Sequence, residues 1–286
     1  MKKVIYFCLF LMSISLLIIS CEKDKLAQNR QDIYINPSTS TQVRFIHALS
    51  SNTINTVSPV TATTAPPALN FFIDGVRVNP ISSASQTFTS SYGGAFPGTA
   101  IAAASSNGNN VFNYAVVPGG IVRVAGAMFR LTGGTPADTV VATTLSLENG
   151  KRYTVVAGDT IPNQRFYSFE DNLPTTDTGS YGVRFINLTP VVPATLTGID
   201  IYSRRKAGNI VTNLAYRAAS SFVLSPVLVN GVTTDTLEIR STGTTTTLAQ
   251  FNGFLPVRTR VYTFVVRGVS TLASPRNLQI AGYLNQ

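Results

Sequence analysis

The segment "QVRFIHALS" at residues 42–50 recurs as "GVRFINLTP" at residues 182–190, which lie 140 positions further along the 286-residue chain. A second pair, "KRYTVVAGD" at 151–159 and "RVYTFVVRG" at 260–268, is separated by 109 positions. Both ends of one unit therefore recur, and the second copy is 31 residues shorter than the first. Self-similarity of this kind indicates that one structural unit occurs twice in the chain.

Two further elements are shared between these copies. "LNFFIDGVRV" at 69–78 corresponds to "GIDIYSRRKAGN" at 198–209, and "VVPGGIVRVAGAMF" at 116–129 corresponds to "NGVTTDTLEIRSTG" at 230–243. Each run alternates or is rich in β-branched residues, and each ends at Gly, Asp-Gly or Pro. Short strands separated by about 8 to 12 residues, with turn signals between them, are typical of a sandwich. We therefore predict an all-β fold with two tandem antiparallel β-sandwich domains of the immunoglobulin-like type.

The limits of the two domains follow from the composition of the chain between them. The segment "EDNLPTTDTGS" at 170–180 is acidic and contains Pro and Gly, which is typical of a linker. We predict a first domain at 41–172, a linker at 173–180 and a second domain at 181–286. Only 12% of the residues are charged, which agrees with strands joined by turns.

The N-terminal segment "MKKVIYFCLFLMSISLLIISCEKDK" at 1–25 combines two lysines, an apolar run and small residues before a charged stretch. This order is typical of a secretory signal, and the apolar run is short for a membrane-spanning helix. "LIISC" also resembles the lipobox of bacterial lipoproteins, which implies a diacylglycerol on Cys21, acylation with a fatty acid such as palmitate, and cleavage of residues 1–20. Residues 21–40 would then be a flexible tether. A plain cleaved signal with a coincidental cysteine is the alternative.

The first copy contains, in order, "VRFIHAL", "NFFIDG", "VPGGIVRV" and "GKRYTVVAGD", and the second contains "VRFINLT", "IDIYS", "TDTLEIRS" and "RVYTFVV". This order of segments resembles the domain of unknown function 4397 family. The resemblance covers nearly all of the chain after residue 41. It implies an all-β domain, an exported location in the bacterial cell envelope and an adhesion-like role, and it carries over no catalytic residues.

Catalytic residues are hard to find in this sequence. His47 is the single histidine, so a triad or a metal site with several histidines within one chain is excluded. A carboxylate pair for sugar hydrolysis must face one cleft, and only Asp200 and Glu238 are predicted in the middle of strands. We predict no cofactor, no metal site and no enzymatic activity, unless Asp200 and Glu238 share one pocket.

The charge of the chain is concentrated in its second half. From 181 to 286 there are 10 Lys and Arg against 3 Asp and Glu, whereas 21–180 is balanced with 10 of each. This basic part could contact an anionic polysaccharide, or it could be an ordinary solvated surface. Sugar binding also uses aromatic faces, and the chain has 11 Tyr, 16 Phe and no Trp. The candidate ligand contacts are Tyr202, Arg204, Arg205, Lys206 and Tyr216.

Three Asp-Thr-aliphatic tripeptides resemble O-glycosylation acceptors of some gram-negative bacteria, which implies sugars on Thr139, Thr160 and Thr236. The same tripeptide also begins turns and strands.

These observations predict a lipid-anchored protein of the cell envelope, on the outer membrane, that acts as a non-catalytic adhesion or glycan-interaction module. Its expected partners are the membrane, through the lipid anchor, and a polysaccharide or another envelope protein, with no nucleic acid. The alternative is a structural spacer or accessory subunit that presents a protein partner at the membrane. A glycan hydrolase is the least favoured reading.

Overall fold

The computed structural model of the chain describes residues 38–50, 68–79, 92–98, 100–101, 114–129, 136–159, 163–189, 198–227, 234–268 and 277–286. Within these ranges the regular elements are strands, so the prediction of an all-β fold is confirmed. Nowhere in them is there a helix with the length and apolar character needed to cross a membrane.

Nine strands lie in the described part of the first half of the chain, and they form the first sandwich. They are β1 (Ser40–His47), β2 (Asn70–Ile73), β3 (Val76–Arg77), β4 (Ala95–Phe96), β5 (Ala115–Pro118), β6 (Gly120–Phe129), β7 (Pro136–Leu147), β8 (Arg152–Gly158) and β9 (Arg165–Glu170). Its inner sheet has the order β4-β1-β8-β9, with β5 also paired to β1, and its outer sheet has the order β3-β2-β6-β7.

Among the described residues of the second half there are nine more strands, which form the second sandwich. They are β10 (Ser180–Asn187), β11 (Ile199–Ser203), β12 (Gly208–Leu214), β13 (Ala218–Ala219), β14 (Val223–Pro226), β15 (Asp235–Ser241), β16 (Thr247–Phe254), β17 (Val261–Arg267) and β18 (Gln279–Leu284). Its inner sheet has the order β13-β10-β17-β18, with β14 also paired to β10, and its outer sheet has the order β12-β11-β15-β16.

The internal repeat is visible in the strand register. Gln42 lies opposite Arg152 in the β1–β8 pair, and Gly182 lies opposite Val261 in the β10–β17 pair. These partners differ by the same 140 and 109 positions as the repeated sequence segments. Both pairs are parallel, whereas we predicted purely antiparallel sheets. The parallel pairing is possible because the chain passes through the outer sheet between the two strands, which gives the long connection that parallel strands need.

Each sandwich is filled by aromatic and aliphatic side chains from both of its sheets. In the first sandwich the rings of Phe45 and Phe71 stack with their centroids 5.0 Å apart. In the second, Phe185 and Phe264 stack at 5.4 Å. All four side chains are buried, and such packing supplies most of the stability of a β-protein that lacks disulfides in its domains.

The inner sheets are buried on both faces because the two sandwiches pack against each other. On β1, Val43 and Phe45 point into the core of the first sandwich, and the alternate residues Arg44 and Ile46 point toward the second sandwich. The apolar part of this junction contains Ile46, Ala48, Val156, Ile186, Leu188, Val265, Ala281 and Tyr283. The two sandwiches therefore share a third apolar cluster between them.

Candidate functional site

A groove with a volume of about 550 Å³ lies at the junction of the two sandwiches. One side is the end of β9, at the edge of the first inner sheet, and the other is the segment after β13, at the edge of the second. The lining residues are Ser168, Phe169, Glu170, Asn172, Pro174, Arg184, Ala219, Ser220, Ser221 and Phe222. Concave sites between domains are common ligand-binding sites.

Arg184, on β10, is the buried basic residue of this groove. Its Nη1 donates to the carbonyl oxygen of Glu170 at 2.9 Å, and its Nη2 forms an ion pair with Asp171. The side chains of Arg184 and Asp171 are only 3% and 0% exposed. The Nε of Arg184 is buried and has no hydrogen-bond partner among the described residues. The guanidinium is therefore held from one side by the chain end of the first sandwich.

Asp171 accepts hydrogen bonds from residues of both sandwiches. It accepts from the hydroxyl of Thr154 at 2.8 Å and from the hydroxyl of Tyr114 at 2.6 Å. Asn285, which follows β18, donates to the same carboxylate at 3.4 Å. Burial, and then the charge of Asp171, raise the pKa of Tyr114 above its ordinary value. This carboxylate therefore fixes the floor of the groove while it neutralises Arg184.

Two phenyl rings flank the groove, one from each sandwich. The ring of Phe222 lies over the guanidinium of Arg184, with 4.6 Å between Cζ and the ring centroid. Phe169 packs partly against the apolar cluster of the junction. The segment that carries Phe222 is held to β10, because Ser220 Oγ accepts from the backbone N–H of Phe185 at 3.0 Å. The aromatic side chains are therefore presented on a fixed backbone.

Glu170 is the other charged residue that lines the groove. Its carboxylate binds the ammonium group of Lys151 at 3.1 Å, and Lys151 also pairs with Glu148 at 2.8 Å. Hydrogen bonds to these two carboxylates raise the pKa of Lys151. Both charged residues of the groove lining are thus paired with an opposite charge.

Tyr216, a predicted ligand contact, lies in a second polar cluster of the junction. Its hydroxyl and that of Tyr167 both donate to Asp159, and Arg217 binds the same carboxylate at 2.8 Å. Burial and then the hydrogen bond to Asp159 raise the pKa of Tyr216 to about 12. Arg217 also lies over the Tyr216 ring, at 4.7 Å. Tyr216 therefore connects the two sandwiches.

Tyr202 and Arg204 belong to a different surface, the exposed face of the second outer sheet. The Arg240 guanidinium lies 3.4 Å from the centroid of the Tyr202 ring. Arg204 and Arg240 both form ion pairs with Glu238. Burial opposes the ionisation of Glu238, but hydrogen bonds from Arg204, Arg240 and Thr247 lower its pKa overall. Arg240 thus lies over one face of the Tyr202 ring.

The two carboxylates that could have formed a hydrolytic pair have separate partners. Asp200 accepts from the backbone N–H groups of Asn213 at 2.8 Å and Gly243 at 3.0 Å. Glu238 is held by its arginines and by the hydroxyl of Thr247 at 3.0 Å. In the described ranges, no three His, Cys, Asp or Glu residues are grouped so that they could hold a metal ion.

Arg205 and Lys206 occupy the turn between β11 and β12. The backbone N–H of Arg205 donates to Asp235 at 3.0 Å, and Lys206 Nζ donates to the Ser225 hydroxyl at 2.7 Å. Partial burial lowers the pKa of Lys206. The five predicted contacts therefore lie in three places: the junction, the outer sheet and this turn.

The remaining predicted residues are dispersed. Thr139 is exposed on β7, and Thr236 on β15 is half-buried with its hydroxyl 3.5 Å from Asn252 Oδ1. Cys21 and Thr160 lie outside the described residues. His47 is fully buried, and its Nδ1 accepts from the backbone N–H of Leu49 at 3.3 Å.

The sequence reading missed the residues that build the groove. One signal was available: an arginine occupies the same place in both copies of "VRFI", as Arg44 and Arg184, between residues that point into a core. A charge repeated inside an apolar strand needs a buried partner, which here is supplied by the opposite sandwich.

A known family matches about half of the chain. The chain matches the family described as "Domain of unknown function (DUF4397)" over residues 55–202, which is half of its length. No curated protein matches the chain. A solved structure of a candidate cell adhesion protein from Bacteroides ovatus aligns over 86% of this chain and 95% of its own, with 11% identity and a TM-score of 0.17. The chain belongs to the family of proteins with this domain of unknown function, DUF4397.

Proposed function

We propose that this protein is a non-catalytic adhesion or glycan-interaction module of the cell envelope and that the groove between its sandwiches is the contact site. The observation that carries the proposal is the pair of rings, Phe169 and Phe222, on the two sides of a shallow groove that also holds Arg184. Sugars bind through apolar ring faces together with a few fixed polar groups, and this lining supplies both.

The polar groups of the groove suit hydroxyl-rich ligands. Asn172 and Ser221 are exposed in the lining, and Ser168 and Ser220 add further hydroxyls. Side chains of this kind can both donate to and accept from sugar hydroxyls, as orientation of a saccharide requires.

The non-catalytic part of the proposal rests on the state of the carboxylates. Asp200 is held by backbone N–H groups, and Glu238 is held by two arginines whose hydrogen bonds lower its pKa. A glycoside hydrolase needs one carboxyl group with a raised pKa to act as the acid. The partners of Glu238 have the opposite effect, and the carboxylate of Asp200 is occupied by backbone donors.

Lipid anchoring through Cys21 places this module at the outer membrane in our proposal. It rests on the charged, apolar and small residues of segment 1–25 and on its resemblance to a lipobox. Several acyl chains on one N-terminus would hold the protein stably, whereas one chain gives only marginal binding.

The experiment is a glycan array probed with residues 22–286, which keep every described strand whole. The proposal predicts binding to at least one class of saccharide, reduced at least tenfold by Phe169→Leu and unchanged by Tyr202→Leu on the outer sheet. Absence of binding to any saccharide in the array would contradict it.

A structural spacer is the second candidate, and one observation favours it. The two sandwiches are joined by an apolar cluster and by ion pairs at two places, Arg184–Asp171 and Arg217–Asp159. A junction of this kind would hold both sandwiches as one stiff body. Silence on the glycan array, together with capture of an envelope protein by the anchored protein, would favour this function.

A further inference from the structure

We propose that the groove at the junction selects an uncharged saccharide, although the second half of the chain is strongly basic. This inference rests on the proposed function and names the chemical class of its ligand. The net charge of the second half of the sequence differs from the charge that the groove presents.

Some of the arginines of the second half are paired with carboxylates of the same chain. Arg184 is paired with Asp171, Arg217 with Asp159, and Arg204 with Glu238. Two of these carboxylates, Asp159 and Asp171, come from the first sandwich, which therefore neutralises part of the basic charge of the second. The net charge of +7 counted for residues 181–286 is therefore larger than the charge that a ligand of this part of the chain would encounter.

The groove itself is electrically balanced. Its charged lining residues are Arg184 and Glu170, and each is already bound, to Asp171 and to Lys151. An acidic sugar could attract Arg184 only by competing with a buried carboxylate, and breaking such a pair leaves an uncompensated charge in the interior. A carboxylated or sulfated glycan would also face Glu170. The balance therefore disfavours a polyanion.

The contacts that remain are those that a neutral sugar uses. The C–H face of a pyranose ring packs on phenyl rings, and the groove is lined by Phe169 and by Phe222, one face of which lies over Arg184. Asn172 and Ser221 complete the polar rim.

The test compares neutral and acidic glycans with residues 22–286. Calorimetric titration with neutral oligosaccharides, and with carboxylated and sulfated ones, is run at 50 and 500 mM NaCl. We expect binding of a neutral oligosaccharide that changes less than about twofold between the two salt concentrations, because no ion pair forms.

Two substitutions in the groove show where the saccharide binds, and the second keeps the test decisive if the first protein misfolds. Phe222→Leu keeps apolar bulk but removes the flat ring, and Ser221→Gln places a larger uncharged group at an exposed position of the groove. Each should weaken neutral binding at least tenfold, with Tyr202→Leu as the control that leaves it unchanged. If Phe222→Leu does not fold, Ser221→Gln decides the outcome.

The outcomes separate this inference from the proposed function. Binding of acidic glycans alone, weakened more than tenfold by salt, would overturn the inference and leave the glycan-interaction function standing. Loss of neutral binding in Tyr202→Leu but not in Ser221→Gln would overturn the groove as the site. Silence with every saccharide would instead contradict the proposed function.

Discussion

Replacement of Asp171 by Asn tests the polar junction on which the groove is built. The substitution keeps the shape of the side chain but removes the negative charge that faces Arg184, whose side chain is 3% exposed. It leaves that guanidinium buried, and Arg44 adds a second buried positive charge nearby. Removal of one partner from a buried ion pair costs about 3–5 kcal/mol. For a chain of this size, that loss lowers the melting temperature by roughly 10 °C.

The assay is urea unfolding of residues 22–286 at pH 7, followed by circular dichroism. Glu148→Gln is the matched control, because its ion pair with Lys151 is at the surface and should leave the unfolding midpoint unchanged. An Asp171→Asn protein that unfolds within about 1 kcal/mol of wild type would refute the claim that this pair holds the junction together.

Three further predictions concern packing, pH and anchoring. Gly282→Ala should lower the free energy of unfolding by about 1–3 kcal/mol in the same urea assay, because the added Cβ would lie 2.6 Å from the Phe264 ring; an unchanged midpoint would show that the ring moves aside freely. Burial raises the pKa of Tyr283 to about 12 from its ordinary value near 10. The neutral hydroxyl of Tyr283 therefore contributes its full stability below pH 10, and this contribution is lost as the pH rises from 10 to 12. Urea midpoints should fall over that interval, and they should fall less in Tyr283→Phe. Cys21→Ser should abolish incorporation of a palmitate analogue in growing cells; undiminished labelling would contradict lipidation.

The strands could be predicted from the sequence because the repeated segments are local and periodic. The offsets of 140 and 109 positions predict which strands correspond, and the register of Gln42 with Arg152 and of Gly182 with Val261 follows them. The parallel direction of these pairs could not be predicted, because it depends on the path of the chain through the outer sheet. Alternation shows that a strand has two faces, but it does not show which strand lies beside it.

The groove could not be predicted because it depends on how the two sandwiches meet. Phe169 and Phe222 are 53 residues apart, and each looks like an ordinary core aromatic in its own strand region. Tyr216 was selected as a ligand contact for its place near a strand end, yet Asp159 of the first sandwich binds its hydroxyl. Tyr202 was selected for the same reason, and Arg240 covers its ring. Neither contact is visible in the sequence, because each depends on how distant strands are brought together.

The most direct test of the central claim, that the groove binds a glycan, is a titration of ¹⁵N-labelled residues 22–286 with the best saccharide from the array, followed by amide chemical shifts. The account predicts that the largest shifts occur at Phe169, Asn172, Ser221 and Phe222, on both sides of the junction. Shifts confined to the outer sheet around Tyr202, with the groove amides unchanged, would contradict it.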